Sequence, residues 1–100
     1  MVKVIWTESA LQDIRDIAEY IARDSVRYAE LTALELFESA DVLEQHPRVG
    51  AKVPEFNEES IRQLVRGNYR IVYFIVDEYR IDILAVHHSA RLLRNVNPFK

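Results

Sequence analysis

The 100-residue chain has no cysteine, only 2 Gly and 3 Pro, and a single Trp. Without cysteine there is no disulfide framework and no thiolate metal site, which suits a reducing compartment and sets the expectation of a cytoplasmic protein. So little glycine and proline excludes a collagen or a low-complexity tract, and 49% hydrophobic residues beside 29% charged ones exclude a disordered chain. No apolar run approaches the roughly 18 residues that cross a bilayer, so no membrane association is expected. The opening Met1 to Trp6 gives way at once to polar residues and lacks the apolar core of a signal peptide. A Gly-rich phosphate loop, a nucleophile elbow and zinc-finger spacing are missing too, and no cofactor is implied.

What is present fits one domain, since a chain of this length buries about two-thirds of its unfolded surface. The net charge of -3 conceals an asymmetry: residues 1–46 carry 4 Lys+Arg against 10 Asp+Glu, and residues 47–100 carry 9 against 6. A polyanion would meet the second part, unless the two halves neutralise each other in the fold.

The hydropathy pattern changes period twice. Residues 1–6 are β-branched and aromatic and read as a strand. Thr7 or Ser9 can then cap a helix, and Ser9 to Gln12 has capping-box spacing. Ala10, Ile14, Ile17, Ala18 and Ile21 recur at helical spacing to about residue 23. Ser25 is the next cap, and from Val26 the helical period continues through Ala29, Ala33, Leu36, Phe37, Ala40 and Leu43 until Pro47 ends it. Residues 7–46 therefore predict an antiparallel helical hairpin. Leu31, Leu34 and Val42 make its second helix apolar over more than one stripe, which points to a contact with the sheet or with another chain.

Residues 47–59 show no period and read as a loop. Beyond them the period is two: strands over 60–66, 69–77 and 80–88, joined by tight turns at Gly67-Asn68 and Glu78-Tyr79, form an antiparallel meander. Residues 89–100 form a basic tail with Arg91, Arg94 and Lys100. The expected class is α+β, a single domain in which the N-terminal strand joins the meander, the hairpin covers one face of the sheet and the other face stays open.

Strand alternation sends Arg62, Leu64 and Arg66 to one side and Ile61, Gln63 and Val65 to the other. Arg70 and Arg91 are expected to extend the Arg62–Arg66 surface, where guanidinium groups bind phosphates bidentately. The alternative for each is an ion pair within the fold. His87 and His88 diverge, so one at most joins that surface as a general acid or base. Glu55, in a proline-bounded loop, is a candidate base beside Arg62. Adjacent diverging histidines with no third ligand at a recognisable spacing imply no metal site.

The segments Trp6-Thr7-Glu8-Ser9-Ala10, Ile17-Ala18-Glu19-Tyr20-Ile21, Leu43-Glu44-Gln45-His46-Pro47-Arg48-Val49-Gly50, Ile61-Arg62-Gln63-Leu64, Gly67-Asn68-Tyr69-Arg70-Ile71-Val72-Tyr73 and Val86-His87-His88-Ser89-Ala90-Arg91 lie in an order that resembles the RelE/ParE superfamily, the toxins of bacterial type II toxin–antitoxin pairs. The resemblance implies a toxin neutralised by a cognate antitoxin, as a homodimer or a toxin–antitoxin hetero-oligomer. The long hairpin is more like the ParE branch, which poisons DNA gyrase and is not known for hydrolysis. Under the alternative, a RelE-like nuclease acting on ribosome-bound mRNA, the resemblance assigns catalysis to Arg62, Arg70, His88 and Glu55. Leu64 departs from that pattern where a nuclease often has lysine, and Ser89 where some have tyrosine. Phosphate or target contact falls to Arg62, Arg66, Arg70 and Arg91, and antitoxin contact to Leu31, Leu34 and Val42.

Overall fold

The β-branched start of the chain forms β1 (Lys3–Trp6), and the chain then turns into α1 (Glu8–Ala22) at Thr7. Thr7 rather than Ser9 is the cap: its Oγ1 accepts from the Ala10 N–H at 3.2 Å and donates to the Ile83 carbonyl at 2.6 Å. One side chain thus starts the helix and ties it to the sheet. Ser25 caps α2 (Val26–Ser39) by accepting from the Tyr28 N–H at 3.1 Å. The second helix stops being α-helical earlier than the apolar period suggests, continuing as a 3-10 helix over Ala40–Glu44. This tighter coil keeps Ala40 and Leu43 buried while bringing the chain round to Pro47.

The computed structural model describes residues 1–88, so Arg91 and the basic tail expected over 89–100 lie outside the described residues. The remaining strands are β2 (Ala51–Lys52), β3 (Ile61–Arg66), β4 (Tyr69–Ile75) and β5 (Arg80–His88). They form one five-stranded mixed sheet in the order β1-β5-β4-β3-β2. The order and pairing of the meander are as read, with Gly67 at φ 58 in the β3–β4 turn, but β4 ends at Ile75 rather than 77 because the Val76 and Asp77 N–H groups both turn back to the Arg80 carbonyl. The N-terminal strand pairs parallel to β5, Lys3 opposite Arg80 and Trp6 opposite Ile83. The short β2, at the edge beside β3, lies in what the sequence presents as a loop. Two residues are too few to show a period.

The helices cover one face of the sheet. Ala10, Ile14, Leu36 and Leu43 pack there against Leu64, Ile71, Tyr73, Ile81, Ile83 and Val86. Fully burying an aliphatic side chain of this kind is worth about 1.5–3 kcal/mol, so this layer dominates the fold's stability. The opposite face is not open as expected. Residues 53–60 fold over it, and Val53 and Phe56 pack on Ile61, Val72, Phe74, Leu84 and Ala85 in a second, smaller core. A β-bulge creates that division: Val72 lies opposite Ala85 and Tyr73 opposite Ile83, leaving Leu84 as the extra residue. Leu84 and Ala85 consequently both join the second core, and Val86 turns back to the helices.

Candidate functional site

The anticipated basic surface divides between the two faces. Arg62 lies opposite Tyr73 and Arg66 opposite Tyr69, on the side of the helices. Arg70 lies opposite Val65 and therefore on the other side. The expectation that Arg70 extends the Arg62–Arg66 surface fails because a shift of an odd number of residues across a tight hairpin reverses the facing.

Arg70 is buried, with its side chain 8% exposed. The loop that closes the second face carries Glu55 down to it: Arg70 Nη1 donates to Glu55 Oε1 at 3.1 Å and Nη2 to Oε2 at 2.8 Å, while Gln63 Oε1 accepts from Nη1 at 3.1 Å. Glu55 was expected beside Arg62, yet its bidentate partner is Arg70. A guanidinium so enclosed orders a loop against the sheet.

Arg62, on β3, is occupied by its own chain. Its Nη1 donates to the Gly50 carbonyl at 2.8 Å and the Arg48 carbonyl at 3.4 Å, and its Nε to the Glu59 carbonyl at 3.1 Å. Its Nη2 pairs with Glu59 Oε1 at 3.0 Å. Arg66 differs, being exposed on β3 with its Nη1 donating to the Val65 carbonyl at 2.9 Å. Among the described residues no ion pair holds it. It borders a groove of about 620 Å³ between α2 and the β3–β4 turn, whose helical wall carries Glu35 and Glu38.

His87 and His88 diverge as strand geometry requires. His87 lies opposite Arg70, and His88 opposite Tyr69, whose ring it meets edge-on with centroids 6.0 Å apart. Both border a cavity of about 580 Å³ that also contains Asp13 and Asp16 of α1. Asp13 Oδ2 accepts from the Val86 N–H at 2.9 Å. This bond satisfies the edge of β5 where β1 has ended. Burial pushes the Asp13 carboxyl above its ordinary value, the Val86 N–H and nearby His87 pull it back, and Asp16 adds a smaller upward push.

Tyr73 and Gly50, which the sequence reading places in resembling segments without joining them, meet in the structure. Tyr73 is fully buried, and its hydroxyl donates to the Pro47 carbonyl at 2.8 Å and accepts from the Gly50 N–H at 3.0 Å. Burial raises its pKa, against the lowering effects of the Gly50 N–H and the Arg62 and Arg48 charges. A Cβ on Gly50 would stand 2.5 Å from the Gln63 carbonyl oxygen and 2.7 Å from the Tyr73 hydroxyl. Only a glycine followed by a sheet tyrosine at the right distance could have signalled this contact.

On α2, Leu31 and Leu34 are exposed at 46% and 52%. Val42, on the 3-10 helix, is half-buried and packs against the main core, so it does not extend that exposed stripe. Among the described residues, no helix is long and apolar enough to cross a membrane.

Residues 4–93 match the family model described as the ParE toxin of the type II toxin–antitoxin system, parDE. Toxin RelE2 of Caulobacter vibrioides is 32% identical over 92 residues, which is 92% of this chain and 100% of that protein. A solved chromosomal ParDE toxin–antitoxin system from P. aeruginosa shares the fold with a TM-score of 0.71 at 23% identity, over 88% of this chain and 96% of that one. The toxin–antitoxin complex RelBE2 from Mycobacterium tuberculosis aligns with a TM-score of 0.54 at 28% identity, over 87% of this chain and 96% of that one.

Proposed function

The chain belongs to the ParE toxin family of type II toxin–antitoxin systems, and from that membership we propose that it arrests bacterial growth by poisoning DNA gyrase through protein contacts. The observation that carries this reading is the separation of the groups a nuclease would need. Arg62 faces the helices and is bonded to backbone carbonyls, whereas Arg70 and Glu55 neutralise each other on the opposite side of the sheet. General acid–base work on a phosphodiester needs a proton-transfer group and cationic groups converging within hydrogen-bond reach of one reacting centre. His88 shares the helix side with Arg62, but the β4 arginine and the loop glutamate do not.

The partner that silences the toxin is a cognate antitoxin, and the exposed Leu31 and Leu34 on α2 are the apolar surface it covers. Two leucines three positions apart on one helix suit the apolar face of a partner segment that orders on binding. Among the described residues Arg66 is the cation of the set best placed to meet an anionic group on a target, because Arg62 and Arg70 are consumed internally.

Induced expression of the wild-type chain tests the reading. Growth should stop, recover on co-expression of the antitoxin, and be accompanied by relaxation of a reporter plasmid with no new 5′ ends on translated mRNA. Ribosome-dependent cuts that disappear in Arg62→Ala and His88→Ala would replace this reading with the nuclease.

A further inference from the structure

The outward face of α2 carries four exposed side chains in a symmetric order, Arg27, Leu31, Leu34 and Glu38. On a helix of 3.6 residues per turn they fall within about 60° of one another, turned away from the buried Ala29 and Leu36. Arg27 and Glu38 lie equally far from the midpoint of the two leucines, one toward each end of the helix. Among the described residues neither of them is in an ion pair. Arg66, the cation that borders a groove with Glu38, donates instead to the Val65 carbonyl.

A stripe that runs cation, leucine, leucine, anion is its own complement when reversed. With two copies of α2 antiparallel about a two-fold axis through that midpoint, each Arg27 meets Glu38 of the other copy and each Leu31 meets Leu34. Two ion pairs then flank four leucines, and the contact is isologous, so it closes at a dimer. Glu30 and Glu35, the remaining carboxylates of the helix, stand on opposite flanks of the stripe. A two-fold axis keeps each flank on its own side, so Glu30 of one copy does not face Glu35 of the other.

We infer that the free toxin pairs with a second copy of itself through the outward faces of α2, antiparallel and in this register. The leucines supply the affinity, and the charges set direction and register, since exposed ion pairs add little strength. No other occupant needs to be supposed: the chain itself carries the surface that the stripe fits. An antitoxin that covers Leu31 and Leu34 has to open this pair, a consequence that rests on the antitoxin reading above, whereas the pairing does not.

The test is equilibrium sedimentation of the purified full-length chain, free of antitoxin, over a range of concentrations. The wild type should pass from monomer to dimer as concentration rises. Arg27→Glu and Glu38→Arg suit the first and last turns of a helix and so leave the fold intact. Each should weaken the dimer at least about fivefold, because both ion pairs become like-charge contacts. An equimolar mixture of the two variants, and the double variant alone, should regain dimerisation to within about twofold of the wild type, since each again sets opposite charges face to face. A wild type that stays monomeric at about 0.5 mM, where a Kd of about 1 mM still pairs about a third of the chain, would overturn the inference. So would a dimer indifferent to both single changes, or single losses that the mixture does not restore. Added antitoxin should replace the dimer with a toxin–antitoxin complex. An antitoxin that binds the intact dimer would leave the pairing standing and overturn its own placement on Leu31 and Leu34.

Discussion

Arg70 and Glu55 close into a two-bond ion pair beneath the loop of residues 53–60, on the face of the sheet turned away from both helices. With side chains 8% and 21% exposed, neither group can lose its partner cheaply. Glu55→Ala leaves the buried guanidinium with the neutral Gln63 acceptor but without its counter-charge, and should cost about 3 kcal/mol of unfolding free energy in urea titration. The double variant Arg70→Met with Glu55→Leu should recover most of that loss, because the pair's desolvation penalty disappears along with its attraction. Equal instability of the single and double variants would show that the ion pair is not what holds the loop.

Gly50 and Gly67 should respond differently to the same substitution. At Gly50 a methyl group meets the Gln63 backbone oxygen and a buried hydroxyl, neither of which can move aside, so Gly50→Ala should lose about 2–3 kcal/mol. Gly67 has open space around it but a φ of +58, so Gly67→Ala carries backbone strain alone and should lose about 1 kcal/mol. Thermal melts of the two variants check the order.

Asp13 makes stability depend on pH in a definite direction. Its folded pKa lies above its ordinary value, so protonation is easier in the folded state than in the unfolded one. This group's contribution is therefore full below the unfolded pKa of about 3.9 and is lost as the pH rises through the folded value. Asp13→Asn keeps an oxygen to accept the Val86 N–H and cannot ionise. Its melting temperature should vary less than the wild type's between pH 4 and the folded pKa, and should be no lower than the wild type's at pH 7. A steeper profile in the variant would contradict the assigned direction.

Much of this architecture could be read from periodicity because helices and strands were long enough to show it. Thr7, Ser25 and Pro47 mark their elements by local chemistry, and the change from helical to alternating spacing separates hairpin from meander. Three things were hidden. A bulge at Leu84 reverses the alternation along β5, and nothing in Ile83-Leu84-Ala85-Val86 announces it. Val53 and Phe56 cover the second face from a segment without period, so the open surface expected there is closed. The facing of Arg70 relative to Arg62 followed from the hairpin register, which alternation within one strand cannot supply. The family resemblance was legible throughout the chain, while the separation of its candidate site residues needed coordinates.

Leu31 and Leu34 should be tolerant positions for folding and sensitive ones for neutralisation. Both are about half exposed, so Leu31→Asp and Leu34→Asp should shift the unfolding free energy by less than about 0.5 kcal/mol. Each should weaken antitoxin binding at least tenfold in calorimetric titration and leave the toxin active when antitoxin is co-expressed. Undiminished neutralisation in both variants would move the antitoxin elsewhere.

Arrest through contact with gyrase, without chemistry by the toxin, is tested by supercoiling of relaxed plasmid by purified gyrase as the purified chain is titrated in. Supercoiled product should be lost with accumulation of gyrase-linked cleaved DNA, and a His88→Ala variant should be as potent as the wild type. Full supercoiling at a large molar excess of the chain, with no trapped cleavage, would contradict it.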